Sequence, residues 1–257
     1  MRDIHKTDLD KRHASEERFH DNKYSEHAHY PYHYKFNPTY FVFQEMKSMI
    51  GDLHNKKILE YGCGEGWTTA ELVAMGGTID SFDISSIAIE HAKKYLTQRD
   101  MIQRCRIKKM AAEKLEYADE SFDLVTGFAI LHHLNLDKAL PELYRVMKNG
   151  GKAFFAEPLG TNPIIKLYRI LTPQYRTADE EPIILSQFNK NIKEFSKYTH
   201  REYYLTALLP LGLSYLHLPA SVIFRLNSIC HVLDKKILNK FNFLGKFAWY
   251  TIIRLDK

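Results

Sequence analysis

Lys57-Ile58-Leu59-Glu60-Tyr61-Gly62-Cys63-Gly64-Glu65-Gly66-Trp67 is the stretch on which the reading of this chain turns. A short apolar run passes into a turn with glycine at alternate positions, and the turn opens into a segment of helical spacing. Glycine lets the backbone turn tightly and approach a ligand closely, while the first turn of a helix offers free N–H groups to an anion. The spacing is G-x-G-x-G. The dinucleotide fingerprint G-x-G-x-x-G would need a small residue where Trp67 stands, and an indole there argues against close helix–strand packing around a pyrophosphate.

Outward from this turn, Lys56 to Phe155 alternates short apolar runs with amphipathic segments, the βαβ signature of a parallel sheet. The pattern predicts strands over 57–61, 78–83, 105–110, 122–127 and 151–156, and helices over 67–75, 85–97 and 136–148. Asn149-Gly150-Gly151 reads as the stop of the last helix. Beyond Glu157 the alternation fades: 163–172 reads as helix, 173–199 as polar and irregular, 211–218 as a strand, 221–243 as a basic amphipathic helix and 246–254 as a closing strand.

Bulk properties narrow the class. With 257 residues, 45% apolar and 26% charged, the chain suits one globular α/β domain with an elaboration. The net charge of +5 is concentrated late: from Ile183 onward 11 Lys and Arg face 4 Asp and Glu. Cys63, Cys105 and Cys230 are too scattered for a disulfide framework and suggest a reducing, cytoplasmic setting. Met1 to Glu17 is densely charged, so neither a signal peptide nor an anchor is expected there. Tyr203 to Phe224 runs 22 residues without Asp, Glu, Lys or Arg, but Pro210, Gly212 and Pro219 interrupt it, so a helix end, a turn and a buried strand are expected rather than a membrane span.

Asp83 closes the run Ile79-Asp80-Ser81-Phe82-Asp83-Ile84, 21 residues after Gly62. An acidic side chain at that place can accept both hydroxyls of a ribose. Helix N-capping is its other reading, although Ser85 could cap equally well.

With these residues the chain resembles the Rossmann-like (class I) methyltransferases that use S-adenosylmethionine (SAM), in the branch that modifies small molecules, quinones and lipids. The resemblance covers about residues 55–160. It rests on Leu59 to Gly66, Asp83-Ile84-Ser85, Ser121-Phe122-Asp123-Leu124-Val125, Leu131-His132-His133-Leu134, and Arg145-Val146-Met147-Lys148-Asn149-Gly150-Gly151. It implies an α/β fold with a doubly wound, mostly parallel, seven-stranded sheet, an N-terminal lid and a C-terminal helical insertion. SAM presents only a carboxylate and an ammonium at the glycine turn, so a less open loop suffices; S-adenosylhomocysteine (SAH) would be the product.

The resemblance further implies that Glu60 and the backbone of Gly62, Cys63 and Gly64 hold the methionine end, that Asp83 binds the ribose, and that Ile84 packs on adenine. Ala112 and Glu113 would line the adenine edge; relatives usually carry Asp where Ala111 stands, a departure that leaves the backbone of Ala112 to take over. Gly127 and Phe128 would face the methionine portion. Phe19, Tyr24, Tyr30 and Tyr34 would fold over as a lid, with Tyr24 touching SAM.

His132 or His133 could act as a base or orient an acceptor, or both could simply shape the turn. Glu157, ending the fifth strand, is a candidate acceptor contact, and Arg176 a candidate partner for an anionic group. Six of the 13 histidines fall within the first 33 residues, including His27, His29 and His33, but no spacing there completes a metal site, and none is expected. The motif serving amino-group acceptors is absent, which favours an oxygen or carbon of a small organic or amphipathic acceptor. An RNA methyltransferase stays open as an alternative, although no RNA-binding module is visible and nucleic acid is disfavoured; so does a SAM-binding protein without catalysis.

The chain divides into a helical arm over 1–50, a cofactor core over 51–160, and substrate-side helices with the last two strands over 161–257. Helical spacing over 221–243 gathers Val222, Ile223, Leu226, Ile229, Val232, Leu233 and Leu238 on one side. That helix either caps the sheet or roofs an acceptor pocket and touches a membrane surface peripherally. Oligomeric state is not legible.

Overall fold

The computed structural model describes residues 7–25 and 39–257, apart from 178, 191, 214, 215 and 217. Tyr30 and Tyr34 of the expected lid, and the histidines His27, His29 and His33, lie outside the described residues. In chain order the main elements are α1 (Asp8–Ser25), α2 (Tyr40–Ile50), β1 (Lys57–Tyr61), α3 (Trp67–Ala74), β2 (Thr78–Asp83), α4 (Ser86–Thr97), β3 (Cys105–Lys109) and β4 (Phe122–Phe128). There follow α5 (Leu136–Val146), β5 (Met147–Pro158), α6 (Pro163–Leu171), α7 (Leu185–Phe188), β6 (Lys197–Tyr203), α8 (Leu208–Leu213), α9 (Ala220–Lys240) and β7 (Tyr250–Asp256).

The seven strands form one sheet in the order β3-β2-β1-β4-β5-β7-β6. The five strands β1 to β5 pair in parallel, and β7 runs antiparallel to both β5 and β6. The order reverses between β1 and β4, and in open α/β sheets the crevice at such a switch, beyond the carboxyl ends of the strands, is where ligands bind.

Strand residues alternate between two apolar layers, as the period of two requires. Leu59, Tyr61, Val125, Phe155 and Ile253 pack on one face with Ala139, Leu140, Leu143 and Val146 of α5. Ile58, Leu124, Phe154 and Ile252 pack on the other with Leu72 and Val73 of α3 and with Val42, Phe43, Met46 and Ile50 of α2. The segment 1–50 is therefore not one arm. Its second helix, α2, is a core element, whereas α1 borders the cavity at the carboxyl edge of the sheet.

Three boundaries differ from the sequence reading. Gly150 does not stop a helix: α5 ends at Val146, and Gly150, with φ of 76°, sits inside β5, which starts at Met147. The penultimate strand is Lys197–Tyr203, beginning inside the 173–199 stretch read as irregular, while Leu208–Leu213 is helical and takes in the start of the strand expected over 211–218. β6 is an edge strand paired on one side only, so its exposed face is charged, a composition that blunts edge-to-edge association and hides the strand from an apolar-pattern search. The third difference concerns α9, whose buried stripe is Ile223, Asn227, His231 and Asp234 rather than the apolar set; Val222, Ile229, Val232 and Leu233 are exposed. Asp234 earns its buried place by accepting the N–H groups of Leu205, Thr206 and Ala207 at 2.9, 2.8 and 3.2 Å, which fixes the turn after β6. No helix among the described residues is long and apolar enough to cross a membrane.

Candidate functional site

Gly62, Gly64 and Gly66 all have positive φ, at 65°, 49° and 84°, which is why glycine recurs at every second position of the loop after β1. The loop is tied down by Cys63 N–H to Phe82 O at 3.0 Å and by Gly66 N–H to Cys63 O at 2.9 Å. A Cβ on Gly66 would lie 3.0 Å from the backbone of Ala92, so this glycine serves the packing of α3 on α4. A Cβ on Gly64 would lie 3.0 Å from the Tyr24 hydroxyl, so the loop and the lid helix meet there. Trp67 begins α3 and packs on Phe43 and Phe128, ring centroids 4.7 and 5.7 Å away.

Asp83 ends β2 beside this loop. Its Oδ2 accepts from Gly64 N–H at 2.8 Å and its Oδ1 from Ser85 N–H at 2.9 Å. Ser85, not Asp83, caps α4, its hydroxyl accepting from Ala88 N–H at 3.0 Å.

A cavity of about 780 Å³ opens at this edge, a size suited to a small-molecule site. Of the residues singled out from sequence, Tyr24, Gly62, Cys63, Gly64, Asp83, Ile84, Ala112, Glu113, Phe128, His132, His133 and Arg176 all line it. At its far end the wall is largely apolar, with Ile164, Ile165, Leu208, Trp249 and Tyr250. Asn162 starts the helix that carries the first two, its side chain accepting from Ile164 and Ile165 N–H at 2.9 and 3.1 Å, with Pro163 at the first helical position.

Three residues do not join the wall. Glu60 shares the α2/α3 face with Ile58, because side chains alternate along β1. It is 2% exposed beneath the loop, where it accepts the Thr69 hydroxyl at 2.6 Å. Burial pushes its carboxyl up to about 7, against the opposing hydrogen bonds of Thr68 and Thr69. Gly127 closes on Phe155 and Ile130, whose carbons would lie within 2.8 Å of an added Cβ. Glu157 is fully buried, accepting Ile130 and Leu131 N–H at 3.0 and 2.9 Å and contacting His132 Nδ1 at 2.7 Å. It builds the turn after β4 instead of meeting an acceptor.

Two lining residues are already engaged. Glu113 bridges His13 Nε2 at 3.0 Å and Asn135 N–H at 2.9 Å, so it ties the lid to the core. The Arg176 guanidinium donates to the carbonyls of Thr172, at 2.7 Å, and Arg169.

The sequence reading missed the polar face of α1. His13, Glu16, His20 and Tyr24 recur at helical spacing and all line the cavity. Glu16, the sole buried residue among those of α1, accepts the Thr177 hydroxyl and lies 3.1 Å from His133 Nδ1 and 3.5 Å from His20 Nε2. Burial opposes its ionisation, but the adjoining His133 and His20 imidazoles hold the carboxyl well below its usual range. Burial also lowers His133, with the neighbouring His132 charge acting in the same direction, and lowers His20. The helical spacing of these groups was a legible signal. Thr7 and Asp10 also form a reciprocal cap at its start, Asp10 Oδ2 accepting Thr7 N–H at 3.0 Å and Thr7 Oγ1 accepting Asp10 N–H at 3.2 Å.

Comparison with known proteins adds a likeness to this geometry. Residues 59–155 match the methyltransferase domain family. The chain is similar to the demethylmenaquinone methyltransferase of Lactobacillus johnsonii, 34% identical over 130 residues that make up 49% of this chain and 52% of that protein. It is also similar to the ubiquinone biosynthesis O-methyltransferase of Nitrosomonas europaea, 28% identical over 131 residues covering 49% of this chain and 54% of that one. The chain thus spans about half the length of these relatives. Among solved structures, phosphoethanolamine N-methyltransferase 2 of Haemonchus contortus in complex with S-adenosyl-L-methionine superposes with a TM-score of 0.62 at 14% identity, over 93% of this chain and 60% of that one. At that identity the likeness is one of fold: a Rossmann-like α/β sheet, mostly parallel, in the class I methyltransferase arrangement.

Proposed function

We propose that this chain is a SAM-dependent methyltransferase acting on an oxygen or carbon of a small, largely apolar acceptor. The observation that carries the reading is Asp83, at the end of β2, bonded to Gly64 of the loop after β1, at the wall of a cavity of about 780 Å³. The residues present suit the cofactor. Gly62, Cys63 and Gly64 offer a close-approach backbone for the methionine end, with Tyr24 above. Asp83 suits the ribose, Ile84 and Ala112 flank the adenine, and Phe128 faces the sulfur side. Glu60 supports the loop from beneath.

SAM supplies a methyl group on a sulfonium, already a strong electrophile, so holding the acceptor in line supplies much of the rate. The wall of Ile164, Ile165, Leu208, Trp249 and Tyr250 suits an apolar body and excludes water. For a hydroxyl acceptor, His132 is the residue to hold the proton. Its Nδ1 meets Glu157 at 2.7 Å, and with Nδ1–H donating to that carboxylate its Nε2 is the proton acceptor. Quinone and sterol methyltransferases among the relatives agree with such an acceptor.

We assign 51–160 to the cofactor and 161–257 to the acceptor side. Ile164, Leu167, Ile170 and Leu171 of α6 and Val222, Ile229 and Val232 of α9 are exposed, and α6 borders the cavity. Exposed apolar side chains beside a basic C-terminal third favour peripheral docking on an anionic membrane, from which a lipid-like acceptor would enter. Calorimetry with SAH tests the core of the proposal: binding is expected with wild type, and its absence would sink the methyltransferase reading.

A further inference from the structure

The lid and the core share a cluster of nitrogen and oxygen donors that a methyltransferase of this kind does not need. Glu16 and His20 stand one turn apart on α1, and His133 meets them from the turn after β4. Glu16 Oε2 lies 3.1 Å from His133 Nδ1 and 3.5 Å from His20 Nε2, and the three groups offer ligand atoms all within 4.8 Å of one another.

Those separations are informative. Ligands at about 2.0–2.2 Å from a tetrahedral ion stand about 3.3–3.6 Å apart, and the 3.1 and 3.5 Å from Glu16 Oε2 to the two imidazole nitrogens lie close to that range. A hydrogen-bonded cluster would satisfy its atoms in pairs, and this one does not. Glu16 Oε2 and His133 Nδ1 are buried and have no well-directed hydrogen-bond partner, although they face each other as an ion pair at 3.1 Å. Glu16 is 4% exposed, so its unsatisfied oxygen is held inside the protein. The other carboxylate oxygen, Oε1, is fixed by the Thr177 hydroxyl. That is the support which orients a ligating carboxylate at metal sites. The rings are set by packing as well: His20 meets His133 edge-on with centroids 5.1 Å apart.

We propose that Glu16 Oε2, His20 Nε2 and His133 Nδ1 form a binding site for a divalent first-row transition-metal ion. Two imidazoles and one carboxylate suit Zn²⁺ and its neighbours and not Mg²⁺ or Ca²⁺, which favour oxygen donors. All three residues line the cavity, so a ligand bound there can reach an ion held between them. Glu180, which groups with His132 and His133 within the same 4.8 Å limit, adds negative charge on that side. A metal placed here would take an oxygen or carboxylate of the acceptor as its fourth ligand, which narrows the acceptor to one with a donor oxygen. That use rests on the methyltransferase reading; binding of the ion does not.

The experiment uses the full chain, stripped with a chelator and titrated with Zn²⁺ in parallel with Co²⁺, whose visible absorption reports four-coordinate nitrogen and oxygen ligation. The expected result is a site of one equivalent that gives this absorption. It should be lost, with affinity down at least about tenfold, in the triple variant Glu16→Gln, His20→Asn, His133→Asn, because even support residues around metals cost that much. The variant keeps the three cysteines and every other histidine, so a Co²⁺ spectrum and Zn²⁺ affinity equal to wild type would overturn the proposal, as would a wild type with no tetrahedral Co²⁺ signal. Should the triple variant fail to fold, His20→Asn alone carries the same test, with the same tenfold loss expected and unchanged affinity overturning the site. SAH titration of the same samples reads the methyltransferase proposal separately: wild type that binds Zn²⁺ but not SAH would refute that reading and leave the metal site standing.

Discussion

Replacing Asp83 with Ala tests the site at its hinge. The carboxylate holds Gly64 N–H at 2.8 Å and Ser85 N–H at 2.9 Å, so it braces the glycine loop and the start of α4 even without ligand. Sequence alone suggests a residue waiting for a ribose, whose loss the unliganded fold would not feel. The structure says otherwise: both amides are part-buried and lose a charged acceptor. A hydrogen bond to a charged group contributes about 1.5–3 kcal/mol, and water can replace part of it at this half-open edge. Unliganded Asp83→Ala should therefore lose about 1–3 kcal/mol of stability. For a chain of this size each kcal/mol lowers Tm by about 2–4 °C. SAH affinity should fall by a further 1.5–3 kcal/mol, about 10- to 150-fold in Kd, because the ribose hydroxyls lose the same acceptor. Asp83→Asn keeps one neutral acceptor oxygen and should fall between Ala and wild type on both scales. Calorimetry with SAH at a temperature where each variant is folded, combined with thermal melts, reads the two effects apart. A folded Asp83→Ala that binds SAH within twofold of wild type would refute the placement of the cofactor.

Four more outcomes are expected. Gly64→Val should abolish SAH binding, since φ is 49° and the Cβ would stand 3.0 Å from the Tyr24 hydroxyl; calorimetric binding by a folded variant would sink the loop assignment. Burial raises the Glu60 carboxyl to about 7 from an unfolded value near 4.5, so its contribution to stability is full below pH 4.5 and is lost as pH rises to 7, by about 3 kcal/mol; urea melts of Glu60→Gln should lack that part of the decline, and equal slopes in both proteins would count against it. Lys236→Glu with Lys240→Glu should weaken flotation with anionic liposomes while leaving SAH affinity unchanged; Lys235 is spared because it pairs with Glu45 at 2.8 Å, and failure of wild type to float at low salt would remove the membrane docking. SAH should slow amide hydrogen exchange in α1, and unchanged exchange on saturation would mean that α1 is not a lid.

The parts legible in the sequence are those where local chemistry and global position agree. The glycine loop could be read because positive φ at alternate positions leaves few other choices, and Asp83 because an acidic residue ending the strand after a glycine loop is a ribose position. Glu60 and Glu157 stand behind the cavity wall for a shared reason. An acidic residue near a site looks functional in one dimension, while alternation along β1 turns Glu60 under α3, and Glu157 spends its oxygens on backbone amides after β4. Period-two bookkeeping from Leu59 and Tyr61 would have corrected the first. The second needed the tertiary structure, because the amides it serves are 27 and 26 residues away in sequence. β6 escaped for the opposite reason: an edge strand protected by charge carries no apolar stripe, and its neighbour β7 comes 47 residues later than its end.

The composition of α1 follows from what it covers. Helices usually dock by an apolar face, yet α1 is held by Arg12 on the carbonyls of His133 and Asp179 at 2.9 and 2.8 Å, by His13 on Glu113, by Glu16 on Thr177, and by Glu17 on Lys109. Exposed ion pairs contribute only about 0–1 kcal/mol each, so the rim contacts of this helix grip lightly. A charged lid can stay registered on the core through directional contacts and still open at small cost, and it brings polar donors to a cavity whose far wall is apolar. The dense charge near the N-terminus is in this fold what seats α1 on the core and brings His13, Glu16 and His20 to the cavity.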